Sequence, residues 1–254
     1  MRFGGMRTNA TTRARLVLVA ALMGSAVGVV ATSPAGAVTP TVSIRMSNTA
    51  PDVGQLVTIS GTVTPNRAGQ VVTLQRYAKA TRTWVTYSRV ALNRYSQYAY
   101  GYRPTTPGNQ TWRAVFSTAA QPMAAFVAYR WIYLYNLDTA EGGVGRESVE
   151  INGQTFVRSI VDGSNDSSQW NLRRNCSTFK ATIGLPDSEP STRKINLAVY
   201  ADAVSRVDQV LSFGQSKFVQ VSIAGALRLR LDWTTAGDHW AVGAFGNAAI
   251  RCSW

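Results

Sequence analysis

From Val57 onward, apolar side chains recur at every second position in short rows separated by turn residues, a period that admits strands and argues against long amphipathic helices. Val57, Ile59 and Val63 alternate with Thr58, Ser60, Thr62 and Thr64, and Trp112, Ala114 and Phe116 alternate with Arg113 and Ser117. Further along, Phe179, Ala181 and Ile183 alternate with Thr178, Lys180 and Thr182, and Leu227, Leu229 and Leu231 with Arg228, Arg230 and Asp232. Ile195, Leu197 and Val199 form another such row. Turn signals at Pro51-Asp52-Val53-Gly54, Pro65-Asn66-Arg67-Ala68-Gly69 and Pro107-Gly108-Asn109 punctuate the first rows. Val204, Val207 and Leu211 also fit one or two helical turns, but their flanks are all strands and they are read as a hairpin arm. The expectation is an all-β chain built from small antiparallel sandwiches.

The N-terminus reads as an export leader. Arg2, Arg7, Arg13 and Arg15 precede an apolar run from Leu16 to Val30, and Ala35-Gly36-Ala37 offers a small-x-small cleavage site. The run falls short of the roughly 20 residues that a bilayer span needs. Residues 1–37 are therefore expected to be a secretory signal peptide, leaving a secreted, extracellular product with no integral membrane segment. What remains of the 254 residues is enough for two ordinary domains. The product is expected to be a monomer.

The net charge of +13 is unevenly spread. Residues 41–127 carry nine basic side chains against one acid, Asp52, whereas residues 128–254 carry 13 basic and 12 acidic ones. This step coincides with a change in strand pattern, which places a domain boundary there and divides the mature chain into residues 38–127 and 128–254. A module of one charge sign attracts anionic polymers, the cell wall included, but says nothing about fold. Cys176 and Cys252 are the only cysteines, and in an exported chain they are expected to pair. Such a cross-link stabilises a fold by about 4 kcal/mol in the chain-entropy account.

Catalytic constellations are sparse. A Ser/His/Asp arrangement would have to recruit His239, the only histidine, next to Asp238, and no Gly-x-Ser-x-Gly elbow accompanies it. A glycosidase can run on two carboxylates, but Asp187, Asp202 and Asp232 stand where turns or strand ends are expected, as solvated turn residues do. No phosphate-cradling Gly-rich loop is present. The expectation is a non-enzyme. Oxygen-rich turns of this kind can hold a structural calcium, although no EF-hand-like spacing occurs; no other cofactor is expected.

Binding residues are easier to nominate. Sugars ask for a flat aromatic face and a few fixed polar groups. Trp131, Tyr133 and Tyr135 share one face of an expected strand, where at least two of them should be core. Trp170, within a polar stretch running from Gly163 to Gln169, is expected to be the exposed aromatic, with Trp240 beside His239 and Asp238 as the next choice. Glu141, in a Gly-flanked loop, and Arg158 are the added polar groups. For His239 a hydrogen-bonded structural role is the competing reading. In the first half, Tyr98, Tyr100 and Tyr102 alternate beside Arg94 and Arg103. Exposed, they would form an aromatic stripe rimmed by positive charge for an anionic polymer; buried, they would pack the sandwich. No nucleic-acid motif accompanies them, and a nucleic-acid partner is not expected of an exported chain.

Two resemblances bear on these rows. Gly61-Thr62-Val63-Thr64-Pro65, Val72-Thr73-Leu74-Gln75-Arg76, Trp84 and Trp112-Arg113-Ala114 resemble a bacterial immunoglobulin-like module over nearly all of residues 41–127. That resemblance implies a spacer or adhesive sandwich without a fixed active site; the cysteine pair between its sheets is absent here. In the second half, Trp131 to Leu137, Ile151-Asn152-Gly153-Gln154-Thr155-Phe156, Cys176 to Asp187, Asn196 to Asp202, Ala224 to Leu231 and Ala236 to Ala241 are similar to the NPCBM carbohydrate-binding modules. That similarity implies a galactose-binding-like jelly roll that binds glycan. Arg158 to Ser164 depart from it: the family usually shows Gly-Leu-Gly-x-His-Ala there, and this stretch has no histidine. The combined expectation is a secreted, non-catalytic protein that binds glycan or another cell-envelope polymer. The alternative is a structural or adhesive envelope protein that uses its basic half on a protein partner or an anionic wall polymer.

Overall fold

The computed structural model describes residues 38–117 and 119–254; the expected signal peptide lies outside them. Nearly all the regular secondary structure of the described residues is strand, as the period-two rows require. Every sheet draws its strands from one side of Tyr129.

Before Tyr129, two sheets face each other. In one, β3 (Val57–Thr64) pairs with β6 (Gln97–Tyr102) on one side and, on the other, with β1 (Thr41–Val42) and β2 (Arg45–Met46) in succession. Between those two short strands, the Ser43 carbonyl lies where a Cβ on Gly61 would come within 1.9 Å. Only glycine fits there. The second sheet runs β5 (Thr83–Ala91), β4 (Val71–Ala78), β7 (Gly108–Val115) and β8 (Met123–Ala128), all antiparallel. Val57, Ile59, Val72, Leu74, Trp112, Ala114 and Phe126 fill the space between the two sheets.

The tyrosine row belongs to this core rather than to a binding face. Tyr98 is 3% exposed and Tyr102 is 4% exposed, and Tyr100 packs half-buried against the same cluster. Ala99 and Gly101 occupy the outward positions of β6 and leave no bulky competitor for the interior. Each buried hydroxyl has a partner, as burial demands. Tyr98 donates to the Ser43 carbonyl at 2.6 Å, and Tyr102 donates to Gln110 Oε1 at 2.9 Å while accepting from Arg76 Nη1. Burial pushes the Tyr98 phenol above its ordinary range. Arg94 stacks on Tyr95, and Arg103 donates to the Gly54 carbonyl, so neither rims an aromatic stripe.

After Tyr129, a six-stranded antiparallel sheet faces a four-stranded one. The larger runs β10 (Gly145–Ile151), β11 (Gln154–Gly163), β18 (Val242–Cys252), β13 (Cys176–Gly184) and β16 (Ser216–Ser222), with β9 (Arg130–Tyr133) beside the second half of β18. The smaller runs β12 (Asp166–Asn171), β17 (Arg228–Thr235), β14 (Lys194–Ala201) and β15 (Val204–Ser212). The Val204 row is thus the hairpin arm. Phe179, Ile183, Phe245 and Ile250 on one sheet meet Leu197, Val199, Leu229, Leu231 and Trp233 on the other. The turn of the β10–β11 hairpin holds Asn152 and Gly153 at φ values of 50° and 74°, the Asn-Gly pattern that suits tight hairpins. Cys176 and Cys252 are register partners on β13 and β18 and form the expected disulfide.

The aromatic row at the start of this half is reassigned. The strand ends at Tyr133, and Leu134–Asn136 form a 3-10 turn, so Tyr135 leaves the row and packs against the core from the turn. Trp131 and Tyr133 face away from the core over the small Ala249 neighbourhood, while Ile132 packs inward. Lys180 sits 4.1 Å over the Trp131 ring and Arg158 sits 4.6 Å over the Tyr133 ring.

A single residue, Tyr129, links β8 to β9, and it is held on both sides. Its N–H donates to the Pro51 carbonyl and its own carbonyl accepts from Val53. Arg251 of β18 stacks over its ring at 4.2 Å, donates to Asp52 Oδ1 at 2.5 Å and reaches the Ala50 carbonyl at 2.6 Å. Asp52, the one acid of residues 41–127, is thereby spent on this join.

Candidate functional site

The loop from β17 to β18 ends at Ala241, which is pinned to Ser164 on the turn from β11 to β12. Ser164 N donates to the Ala241 carbonyl at 2.8 Å, and the buried Ser164 hydroxyl both donates to that carbonyl and accepts from Ala241 N. These bonds set the preceding residue, Trp240, against the backbone of Gly163. A Cβ on Gly163 would lie 2.2 Å from the Trp240 ring, so the seat exists only because that position is glycine. Trp240 remains 58% exposed. The result is an indole fixed from below and open above. His239 and Asp238 lie exposed on the same loop and make no side-chain hydrogen bond among the described residues.

The adjoining turn adds carboxylates. Asp162 lies at the end of β11, and Asp166 begins β12. Burial holds the Asp162 carboxyl above the usual range, with Asp166 adding repulsion, while the Gly163 N–H at 2.9 Å works the other way. Asn165 spans the turn at a φ of 72°, and its N–H donates to the Trp233 carbonyl.

The other nominated residues are not brought to this place. Trp170, expected to be exposed, is 1% exposed and points into the core. Its polar neighbourhood is strand β12 rather than a loop: Ser168 and Trp170 face inward opposite Leu231 and Leu229, and Gln169 and Asn171 face out. Only part of its ring reaches the surface, as one wall of a hollow of about 350 Å3 shared with Leu137, Asp138, Asn171, Arg173 and Trp254. Glu141 extends the small sheet beyond β12 through a bridge to Gln169, whose Nε2 donates to Glu141 Oε2 at 2.8 Å. Arg158 lies on β11 five residues before Gly163, about 17 Å away at ordinary strand rise.

Arg158 instead stacks on Tyr133, which, with Phe156, Lys180, Thr182 and Phe218, lines a hollow of about 220 Å3 on the outer face of the larger sheet. Phe218, 63% exposed, was not among the nominated residues. Its signal was available: in Ser216–Ser222 the inward Val219 and Val221 leave Phe218 as the one aromatic in a polar row.

Three further carboxylates have structural partners. Asp187 accepts from Asn152 N and Gly153 N, both at 2.7 Å, and so caps the β10–β11 hairpin. Asp202 accepts from Leu227 N and Arg228 N at 2.9 Å. Asp232 pairs with Arg230 at 2.9 Å on β17 rather than in a turn; burial raises its carboxyl and Arg230 lowers it, burial being the larger effect. Among the described residues no three His, Cys, Asp or Glu side chains gather where they could hold a metal ion, so the oxygen-rich turns form no carboxylate calcium cage.

Residues 130–251 match the NPCBM/NEW2 domain. The match runs from the first residue of β9 to the penultimate residue of β18 and takes in both sheets of the C-terminal sandwich. It supports carbohydrate binding by that half of the molecule. No curated protein matches the chain. Within the NPCBM/NEW2 region, the Trp240 loop combines an open indole, a rigid seat and unengaged polar neighbours, which is what a sugar ring requires.

Proposed function

We propose that the protein is an exported, non-catalytic carbohydrate-binding protein whose C-terminal sandwich holds a glycan of the cell envelope against Trp240. The observation that carries this reading is the Trp240 ring, exposed yet immobilised on Gly163 by the Ser164–Ala241 bonds. An aromatic fixed in advance loses little rotamer entropy when the apolar face of a sugar settles on it. Asp238 and His239 stand beside it to bond hydroxyl groups, and the NPCBM/NEW2 match gives the same class of ligand. Export rests on the basic, apolar leader with its small-residue cleavage site. The non-catalytic reading rests on the lone histidine, the paired cysteines and the use of Asp187 and Asp202 as hairpin and turn caps. Residues 38–127 are read as a separate immunoglobulin-like domain, supported by two facing four-stranded sheets with their own core.

Sedimentation of residues 38–254 with insoluble polysaccharide and cell-wall fractions tests this. Wild type is expected to bind at least one fraction, to be competed off by a soluble sugar, and to release no product from chromogenic glycosides. Trp240→Ala is expected to weaken binding about tenfold, the loss of one stacked aromatic. Unchanged binding by a folded Trp240→Ala variant would sink the assignment.

A further inference from the structure

We infer that the outer face of the β5–β4–β7–β8 sheet is a second binding site, for a polyanionic glycan that carries carboxylate or sulfate groups. This site lies outside the NPCBM/NEW2 match and does not depend on the Trp240 reading.

Strand register assembles the face. Val72 and Leu74 turn inward, so Thr73, Gln75 and Tyr77 of β4 turn outward. Their partners on β5 are Arg89, Thr86 and Trp84, and Gln75 pairs with Arg113 on β7. Arg113, Gln75 and Thr86 thus form one row across three strands. Arg113 Nε donates to Gln75 Oε1 at 2.7 Å, and Gln75 Nε2 donates to Thr86 Oγ1 at 3.3 Å. The Arg113 guanidinium lies 4.5 Å over the Trp84 ring, whose edge is met by Tyr77 at 5.4 Å. Arg113 is therefore positioned before any ligand arrives, and among the described residues its two Nη groups make no hydrogen bond. A guanidinium held in this way presents its remaining N–H donors to an oxyanion at small entropic cost.

Charge makes the choice of ligand. Arg89 continues the face, and Lys79 and Arg82 flank it at the β4–β5 turn. At the Tyr77 end, a hollow of about 190 Å3 is lined by Arg76, Tyr77, Lys79, Thr106, Asn109 and Gln110, with no carboxylate. The one acid of residues 41–127, Asp52, is neutralised at the join by Arg251 and offers no local repulsion. Nucleic acid is the less suitable polyanion. Base stacking needs open rings in succession, and here Arg113 covers Trp84, so a cation rather than a ring meets the ligand.

The test measures affinity of residues 38–254 for dextran sulfate, polygalacturonate, unsubstituted dextran and a single-stranded oligonucleotide of matched charge, at low and moderate salt. Dextran sulfate or polygalacturonate is expected to bind, and the difference between them identifies sulfate or carboxylate as the preferred group. Unsubstituted dextran should not bind to this face, and added salt should weaken the interaction. Arg89→Glu and Thr86→Glu, both at exposed positions, are each expected to lose about tenfold, the scale of one charge-assisted hydrogen bond. Trp240→Ala should leave polyanion affinity unchanged. The inference is overturned if neither polysaccharide binds at low salt, if the oligonucleotide binds more tightly than both, or if both glutamate variants melt and bind like wild type.

Discussion

The two sandwiches solve the same packing problem and spend their aromatic residues differently. Before Tyr129, Tyr102, Trp112 and Phe126 pack at the centre, Tyr87 meets Tyr102 and Trp112 edge to face from a position that stays 43% exposed, and on the positively charged outside Arg113 covers Trp84. After Tyr129, charges of both signs are nearly balanced and several aromatics lie outside the main core: Trp131 and Tyr133 capped by cations, Phe218 and Trp240 exposed. In the first half, the surface attracts through field and fixed cations. In the second, it offers faces of ring size. On the proposed reading, the first half holds a polyanionic glycan through its charge and the second holds a sugar ring through its shape.

The largest effect that would sharpen this contrast concerns the disulfide. Replacing both Cys176 and Cys252 with Ala removes the tie between β13 and β18 and should cost the C-terminal sandwich about 4 kcal/mol. Hydrogen exchange should show the loss confined to residues after Tyr129; equal loss in the N-terminal core would mean that the two halves share one cooperative unit. A smaller effect is expected at the join. Arg251→Ala removes the Asp52 pair and the stack on Tyr129. Because Asp52 is partly exposed, screening keeps the cost near 1–2 kcal/mol. Calorimetry is expected to show overlapping transitions in wild type and two resolved ones in the variant.

The smallest effect depends on pH. The folded state raises the Asp162 carboxyl, so it binds a proton more readily than the unfolded chain, and stability falls as pH rises past the ordinary carboxylate value of about 3.9. Asp162→Asn should therefore gain stability at neutral pH, keep its acceptor for Gly163 N–H, and match wild type below about pH 4. Denaturant titrations at both pH values check the sign.

Alternation made the strands legible, together with the Asn152-Gly153 hairpin and the cysteine pair. It did not say which face of a row turns inward when both faces are plausible. In β6 the deciding fact is that Ala99 and Gly101 are the small residues, which sends Tyr98 and Tyr102 to the core. Trp170 was hidden for the opposite reason. Its neighbours Ser167, Ser168 and Gln169 read as loop, and only pairing with Leu229 and Leu231 across the sheet makes that polar stretch a strand with a buried tryptophan. The Trp240 seat could be suspected from local sequence, but its support could not. Gly163 and Ser164 lie some 77 residues earlier and meet the loop only through the β11–β18 pairing. The Trp84–Arg113 face likewise depends on register across three strands.

The most direct test of the central claim is isothermal titration of a soluble glycan, released from the wall fraction that wild type binds, into wild type, Trp240→Ala and Gly163→Val. The valine intrudes on the seat of the indole without removing it. Affinity is expected to fall in both variants, about tenfold for Trp240→Ala. Wild-type affinity in both, with unchanged melting, would contradict the claim that the glycan rests on Trp240.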